Sequence, residues 1–177
     1  MNKTLKDMLI GVILGDAHLK RLGLDKAFIS FEQSNKKAEY LNHLLTLTKE
    51  ELPVINEEVK EYSREDQRYN TTNKSLYFRT KSVEELKPFA DLFLDSEGKK
   101  VIPLKIAEHL TPRSLAFWIM DDGQQVKRGG VTLCTDSFKS DEIQILREAL
   151  KTNFNLETSI HKKKSNRIVK PSMKESI

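Results

Sequence analysis

The feature that most constrains this chain is that it writes one unit twice. Leu9 to Asp16 is an apolar, helix-like segment ending in Gly15-Asp16, and Leu115 to Asp122 is a second one ending in Asp121-Asp122-Gly123. Each is followed by an alternating run of the kind that forms a half-buried strand, Ala27 to Gln33 in the first copy and Val131 to Asp136 in the second. Each strand leads into a helix. Asn35 is the expected N-cap for one carrying Tyr40, Leu41, Leu44, Leu45 and Leu47. Ser140 is its counterpart for one carrying Ile143, Leu146 and Leu150, with Glu142 in the first turn. Extended segments come next: Val54 to Tyr62 and Ser75 to Thr80, joined by a polar loop through Asn70 and Asn73, and then Glu157 to Lys162 and Arg167 to Lys170. The order is helix, strand, helix, strand, strand in both copies, which makes the fold class α+β. The first copy goes on through a helix from Val83 to Leu94, a turn at Gly98 to Pro103 and a short helix reaching Leu110. The second reaches Ile177 soon after its strands. The division expected is therefore 1–110 and 111–177.

The two helix ends carry the chemistry. A helix C-terminus already holds partial negative charge on its unpaired carbonyls, so a carboxylate there is unfavourable unless a cation or strong donor compensates it. One apolar helix followed by Asp-Gly is usually a core helix ending in a turn. Two of them, each followed by the same strand and helix, favour a paired acidic site at Asp16 and Asp122, as divalent-metal hydrolysis of a phosphodiester requires. Gly11 and Gly15, four apart, leave the first helix smooth enough for close backbone approach. The second offers Ser114 but places Phe117 and Trp118 where small residues are expected.

Charge placement agrees with a polyanionic partner. Of 177 residues, 38% are apolar and 32% charged, with a net charge of +4. From Thr158 to Ile177 stand six basic residues (Lys162, Lys163, Lys164, Arg167, Lys170, Lys174) against one acid, Glu175. Such a patch suits nucleic-acid phosphates, although a solvated tail has the same composition. The apolar stretch around Met8 to Gly15 is too short to span a bilayer, and Asp7 in the ramp ahead of it, with the Gly15-Asp16 ending, argues against a secretory signal despite Lys3 and Lys6. No membrane role is expected. The single cysteine, Cys134, lies in a strand-like run and is expected to be a buried, inert thiol.

The segments Leu9 to Ala17 and Leu115 to Gly123 resemble the two signature helices of LAGLIDADG homing endonucleases. The likeness is greatest to the monomeric, two-motif, intron-encoded branch known from a yeast mitochondrial large-rRNA intron. Lys99-Lys100-Val101-Ile102-Pro103, Leu110-Thr111-Pro112, Phe78-Arg79-Thr80 and Asp136-Ser137-Phe138 match patterns of that branch. The resemblance implies a pseudo-twofold pair of αββαββα repeats whose saddle-shaped antiparallel sheets straddle the DNA major groove. It implies Mg²⁺, or Mn²⁺, held by Asp16 and Asp122 with the carbonyls of Gly15 and Asp121, and Lys100 as the basic residue bordering the metal. Within that frame, strand alternation turns Gln33, Arg79, Lys81, Thr135 and the run His161, Lys162, Lys163 and Lys164 toward DNA. Gln124, Gln125, Lys127 and Arg128 fall near backbone phosphates.

The implied partner is double-stranded DNA, the implied state a monomer and the implied compartment, by family habit, the mitochondrion. The family's second half normally continues into a last helix and a basic residue symmetric with Lys100. Here Ser172-Met173-Lys174 is read as the start of that helix, so the second repeat is expected to be truncated, less stable and impaired in cutting one strand. Two competing readings share the fold: a maturase-like protein that binds its host intron RNA, and a non-cleaving DNA-binding relative. Retention of both acids favours the nuclease.

Overall fold

The computed structural model describes residues 1–66, 71–127, 129–162 and 167–172. The chain divides into two compact units. The first comprises Met1–Leu5 with Asp16–Leu94, and the second Lys6–Gly15 with Asp95–Ile177. Helix α1, Lys3–Leu14, contributes its first residues to one and its remainder to the other.

The first unit holds an antiparallel sheet of β1 (His18–Leu22), β2 (Lys26–Ser34), β4 (Thr71–Arg79) and β3 (Lys60–Asp66), ordered β1-β2-β4-β3. One face is core. Leu19, Ala27, Ile29, Phe31 and Phe78 are all buried, and the Phe31 and Phe78 rings stack with centroids 4.3 Å apart. Helix α2 (Ala38–Lys49) packs on this sheet, burying Leu41, Leu44, Leu45 and Thr48 at helical spacing. Past the end of β4 the chain stays alongside β2. Val83 and Ala27 exchange backbone hydrogen bonds of 2.9 and 3.1 Å, and a 3₁₀ turn leads into α3 (Lys87–Phe93), which buries Phe89, Ala90 and Phe93. Arg21 on β1 fastens α3, donating to the Ala90 carbonyl at 2.8 Å and pairing with Asp91. A hydrogen bond from Lys87, and then the one from Arg21, hold the Asp91 carboxyl below its ordinary pKa.

The second unit repeats the pattern. Helix α4 (Ile106–His109) precedes α5 (Pro112–Asp122), which starts on a capping box. The Thr111 hydroxyl accepts from the Ser114 N–H at 3.2 Å and the Ser114 hydroxyl accepts from the Thr111 N–H at 2.7 Å, with Pro112 in the first turn. Strands β5 (Gly123–Gln125), β6 (Val131–Cys134), β8 (Arg167–Ser172) and β7 (Glu157–Lys162) form an antiparallel sheet in the order β5-β6-β8-β7. Helix α6 (Ser140–Phe154) buries Ile143, Leu146, Ala149 and Leu150 and ends on Asn155 in the left-handed conformation, φ 53°.

Each repeat is thus αββαββ, with one strand more than the helix-strand-helix order read from the residues. The extra strands, β1 and β5, directly follow the two acids. Other local readings shift. Asn73 belongs to β4 rather than to a loop, and β3 starts at Lys60, Val54 making only a bridge to Thr80. The Ser34 hydroxyl, not Asn35, caps the turn before α2, and Lys139 rather than Ser140 occupies the N-cap of α6. Ser172 does not start a helix. It is the last residue of β8, opposite Glu157, because the ladder with β7 continues past Pro171 in the stretch that no longer pairs with β6. Met173 and Lys174 lie outside the described residues.

Candidate active site

Helix α1 stops at Leu14, and the Gly15 N–H closes its final turn on the Gly11 carbonyl at 3.1 Å. Asp16 follows, exposed at the mouth of the first unit. Its carboxylate accepts a hydrogen bond of 2.9 Å from the Gln33 amide. Gln33 is only 7% exposed, so the expectation that it faces DNA is overturned. Residues 27, 29, 31 and 33 share the core face of β2, and alternation therefore turns Gln33 inward, where its amide holds the acid. Around these groups lies an open cleft of about 880 Å³, whose walls include Asp16, Glu32, Gln33, Lys36, Lys37 and Lys74.

The second unit collects the other groups. The Lys100 ammonium donates to the Gly15 carbonyl at 2.9 Å, which places a cation on the negative end of α1. Two residues beyond Lys100 the chain is held by Glu142, whose buried carboxylate accepts from the Ile102 N–H at 2.9 Å and from the Lys139 N–H at 2.6 Å. Asp122, half-buried, is the last residue of α5, and Asp121 beside it is 8% exposed.

Gly11 of α1 and Gly15 just past its end let α5 approach closely. A Cβ on Gly11 would stand 2.3 Å from the Ser114 carbonyl oxygen and 2.7 Å from Phe117 Cβ, and one on Gly15 would stand 2.5 Å from Asp121 Cβ. Phe117 therefore causes no conflict, since Gly11 meets the root of its side chain. Trp118 is fully buried in the core. Gly11→Ala should destabilise the protein by about 1–3 kcal/mol, because the obstructing atom is backbone and cannot rotate away. A urea midpoint equal to wild type would show that the helices are not in this contact.

The sheets present an open face opposite the core. In the first unit it carries His18 and Lys20 of β1, Phe28, Ser30 and Glu32 of β2, Tyr77 and Arg79 of β4, and Lys60 and Tyr62 of β3. Arg79 is exposed there as expected, its guanidinium 4.7 Å over the Phe28 ring, and Lys81 is exposed just beyond the strand. In the second unit Gln124, Gln125, Lys127 and His161 are exposed, and Lys162 ends β7. Thr135 is not on that face. It is fully buried, lying past the end of β6 where its carbonyl accepts from the Phe138 N–H. Cys134 is instead exposed, contrary to expectation. Partial desolvation, reinforced by its side-chain bond to Asp136, raises its pKa and leaves the thiol protonated near neutrality. Arg128, Lys163 and Lys164 lie outside the described residues.

The LAGLIDADG DNA endonuclease family model matches residues 6–176. The chain belongs to that family. Among its relatives, "Probable intron-encoded endonuclease 1" of Wickerhamomyces canadensis is 32% identical over 182 residues, covering 96% of this chain and 74% of that protein. "Cytochrome b mRNA maturase bI2" of Debaryomyces hansenii is 29% identical over 163 residues, 92% of this chain and 61% of that one. The solved structure of the homing endonuclease I-WcaI bound to its DNA recognition sequence matches with a TM-score of 0.85 and 28% identity, covering 96% of this chain and 76% of that chain. The LAGLIDADG fold is therefore shared over nearly the whole chain.

Each signature helix of this LAGLIDADG protein ends at an oxygen donor: the Asp16 carboxylate just past α1 and the Asp122 carboxylate that closes α5. Among the described residues no cluster of three or more His, Cys, Asp or Glu side chains could hold a metal unaided. Carboxylate and carbonyl oxygens are the ligands that hard divalent cations take. Sequence reasoning missed Glu142 as the support of Lys100, although its place in the first turn of α6 was legible. No helix among the described residues is long and apolar enough to cross a membrane.

Proposed function

We propose that this chain is a site-specific, intron-homing DNA endonuclease that hydrolyses both strands of its target, with Mg²⁺ or Mn²⁺ held by Asp16 and Asp122. The observation that carries the reading is Asp16 itself, an exposed carboxylate held by a buried glutamine amide in a cleft that also carries lysines. A merely structural acid has no need of such an arrangement.

Each acid serves one repeat, and the carbonyls of Gly15 and Asp121 complete the oxygen donors. A bound divalent ion supplies polarisation of the scissile phosphate and acidification of water. The protein's share is positional. Gln33 fixes the rotamer of Asp16. Lys100 offsets the negative end of α1 at the Gly15 carbonyl. The open sheet faces and the exposed Gln124 and Lys127 take the duplex. The enzyme acts as a monomer, and its residence is the mitochondrion.

One observation favours a second reading, RNA maturation: the similarity to a cytochrome b mRNA maturase over 92% of the chain. One experiment separates the two. Purified protein is incubated with supercoiled plasmid carrying either the intron-less host allele or the allele interrupted by the intron. The endonuclease linearises only the first, in Mg²⁺ or Mn²⁺ and not with chelator. Failure to cut either, together with tight binding of the intron RNA, replaces the nuclease by the maturase. Failure to cut with tight and specific duplex binding identifies a non-cleaving relative.

A further inference from the structure

The open face of the first sheet meets a polyanion in the proposed function, yet it presents an acid at its centre. Glu32 is exposed on β2, directly opposite Tyr77, which in turn faces Lys60 on β3. Among the described residues no hydrogen bond or ion pair engages its carboxylate. A carboxylate brought against a groove walled by phosphates is repelled, and it weakens binding unless a donor in the groove meets it.

We propose that Glu32 is a base-reading residue that selects cytosine through its exocyclic amine, an assignment that rests on the DNA-binding reading above. An ionised carboxylate only accepts hydrogen bonds. In the major groove guanine offers two acceptors and thymine an acceptor and a methyl group, so both are rejected. Adenine offers an amine, but its N7 acceptor lies alongside and opposes the second carboxylate oxygen. Cytosine offers N4 with no adjacent acceptor.

The register places this contact relative to another. Arg79 lies opposite Ser30, two residues before Glu32 on the same face, with its guanidinium already stacked on Phe28. Two residues along a strand span about 6.8 Å, about two steps of a nucleic-acid strand. Arg79 matches the two acceptors of guanine. The site therefore carries guanine at one position and cytosine about two base pairs away. The cytosine lies on the cleavage side, because Glu32 adjoins Gln33 and hence Asp16.

The test is selection from a randomised duplex library with divalent ions chelated, using wild type, Glu32→Gln and Glu32→Ala, each checked for a wild-type melting temperature. Wild type should recover a common sequence with about a tenfold preference for cytosine at one position. Glu32→Gln should move that preference to adenine, which pairs with an amide in bidentate fashion. Glu32→Ala should flatten it and leave the guanine two steps away intact. An unchanged common sequence in both variants, or a uniform rise in affinity for every duplex in Glu32→Ala, overturns the assignment and leaves the endonuclease reading standing. A wild-type protein that recovers no common sequence overturns both.

Discussion

Asp16→Asn and Asp122→Asn should each abolish the linear product from a target plasmid, slowing double-strand cleavage by about a thousandfold or more, while duplex binding stays within about threefold of wild type. The substitution keeps size and shape and removes one negative charge. Loss of a carboxylate that holds a catalytic divalent ion costs several kcal/mol of transition-state stabilisation, and each 1.36 kcal/mol is a tenfold change in rate. Ground-state binding is spared because, at the proposed site, a carboxylate without its ion contributes nothing attractive to a phosphate. For Asp16 the amide substitute also preserves its partner's role. The Gln33 Nε2, now donating at 2.9 Å to a carboxylate oxygen, can still find an amide oxygen, so the loop after α1 keeps its shape. Gel-shift affinity with chelator and timed cleavage with Mg²⁺ separate the two effects. Either variant linearising the plasmid at the wild-type rate removes that residue from the active site.

The repeat was legible because both of its signals are strong. The apolar runs of α1 and α5 end at acids, and the aromatic alternation of β2 ends at the start of a helix. The strands β1 and β5 were not legible, for different reasons. The outward residues of β1, His18 and Lys20, are polar, but only Leu19 marks an inward side strongly, and Arg21 is spent on the end of α3. Strand β5 has three residues, all exposed, and no apolar signal at all. Among the candidate residues, Asp16 and Arg79 are exposed and Lys100 meets the Gly15 carbonyl, whereas Gln33 and Thr135 are buried rather than on the outward face. For Gln33 the parity of Ile29 and Phe31 already gave the answer, since positions two apart share a face. For Thr135 parity fails, because β6 buries Thr132 and Leu133 in succession and pairs with β8 only at Leu133 and Cys134. A strand that short does not impose strict alternation, and Cys134 emerges where burial was expected.

Glu142→Ala should lower stability by about 2–4 kcal/mol, because it strips acceptors from two backbone N–H groups at once, and an orphaned buried donor costs about 1–3 kcal/mol. In a chain of this size that corresponds to a fall in melting temperature of about 10 °C. The two N–H groups are those of Ile102 and Lys139, bound at 2.9 and 2.6 Å by one carboxylate that is 9% exposed. That carboxylate caps α6 and pins the segment carrying Lys100, two residues ahead of Ile102, to the helix. Cleavage should therefore suffer beyond what unfolding explains. Assayed well below its melting point, Glu142→Ala should cut about tenfold more slowly while its duplex affinity barely changes, as expected when a positioning residue releases Lys100 by a fraction of an ångström. Glu142→Gln should recover part of both losses, since its amide oxygen still accepts one of the two bonds while its NH₂ opposes the other. Lys100→Ala should make the cleavage defect of Glu142→Ala disappear as a separate effect, the double variant being no slower than Lys100→Ala alone. Additive rate losses in that cycle would mean that Glu142 supports the fold and nothing more.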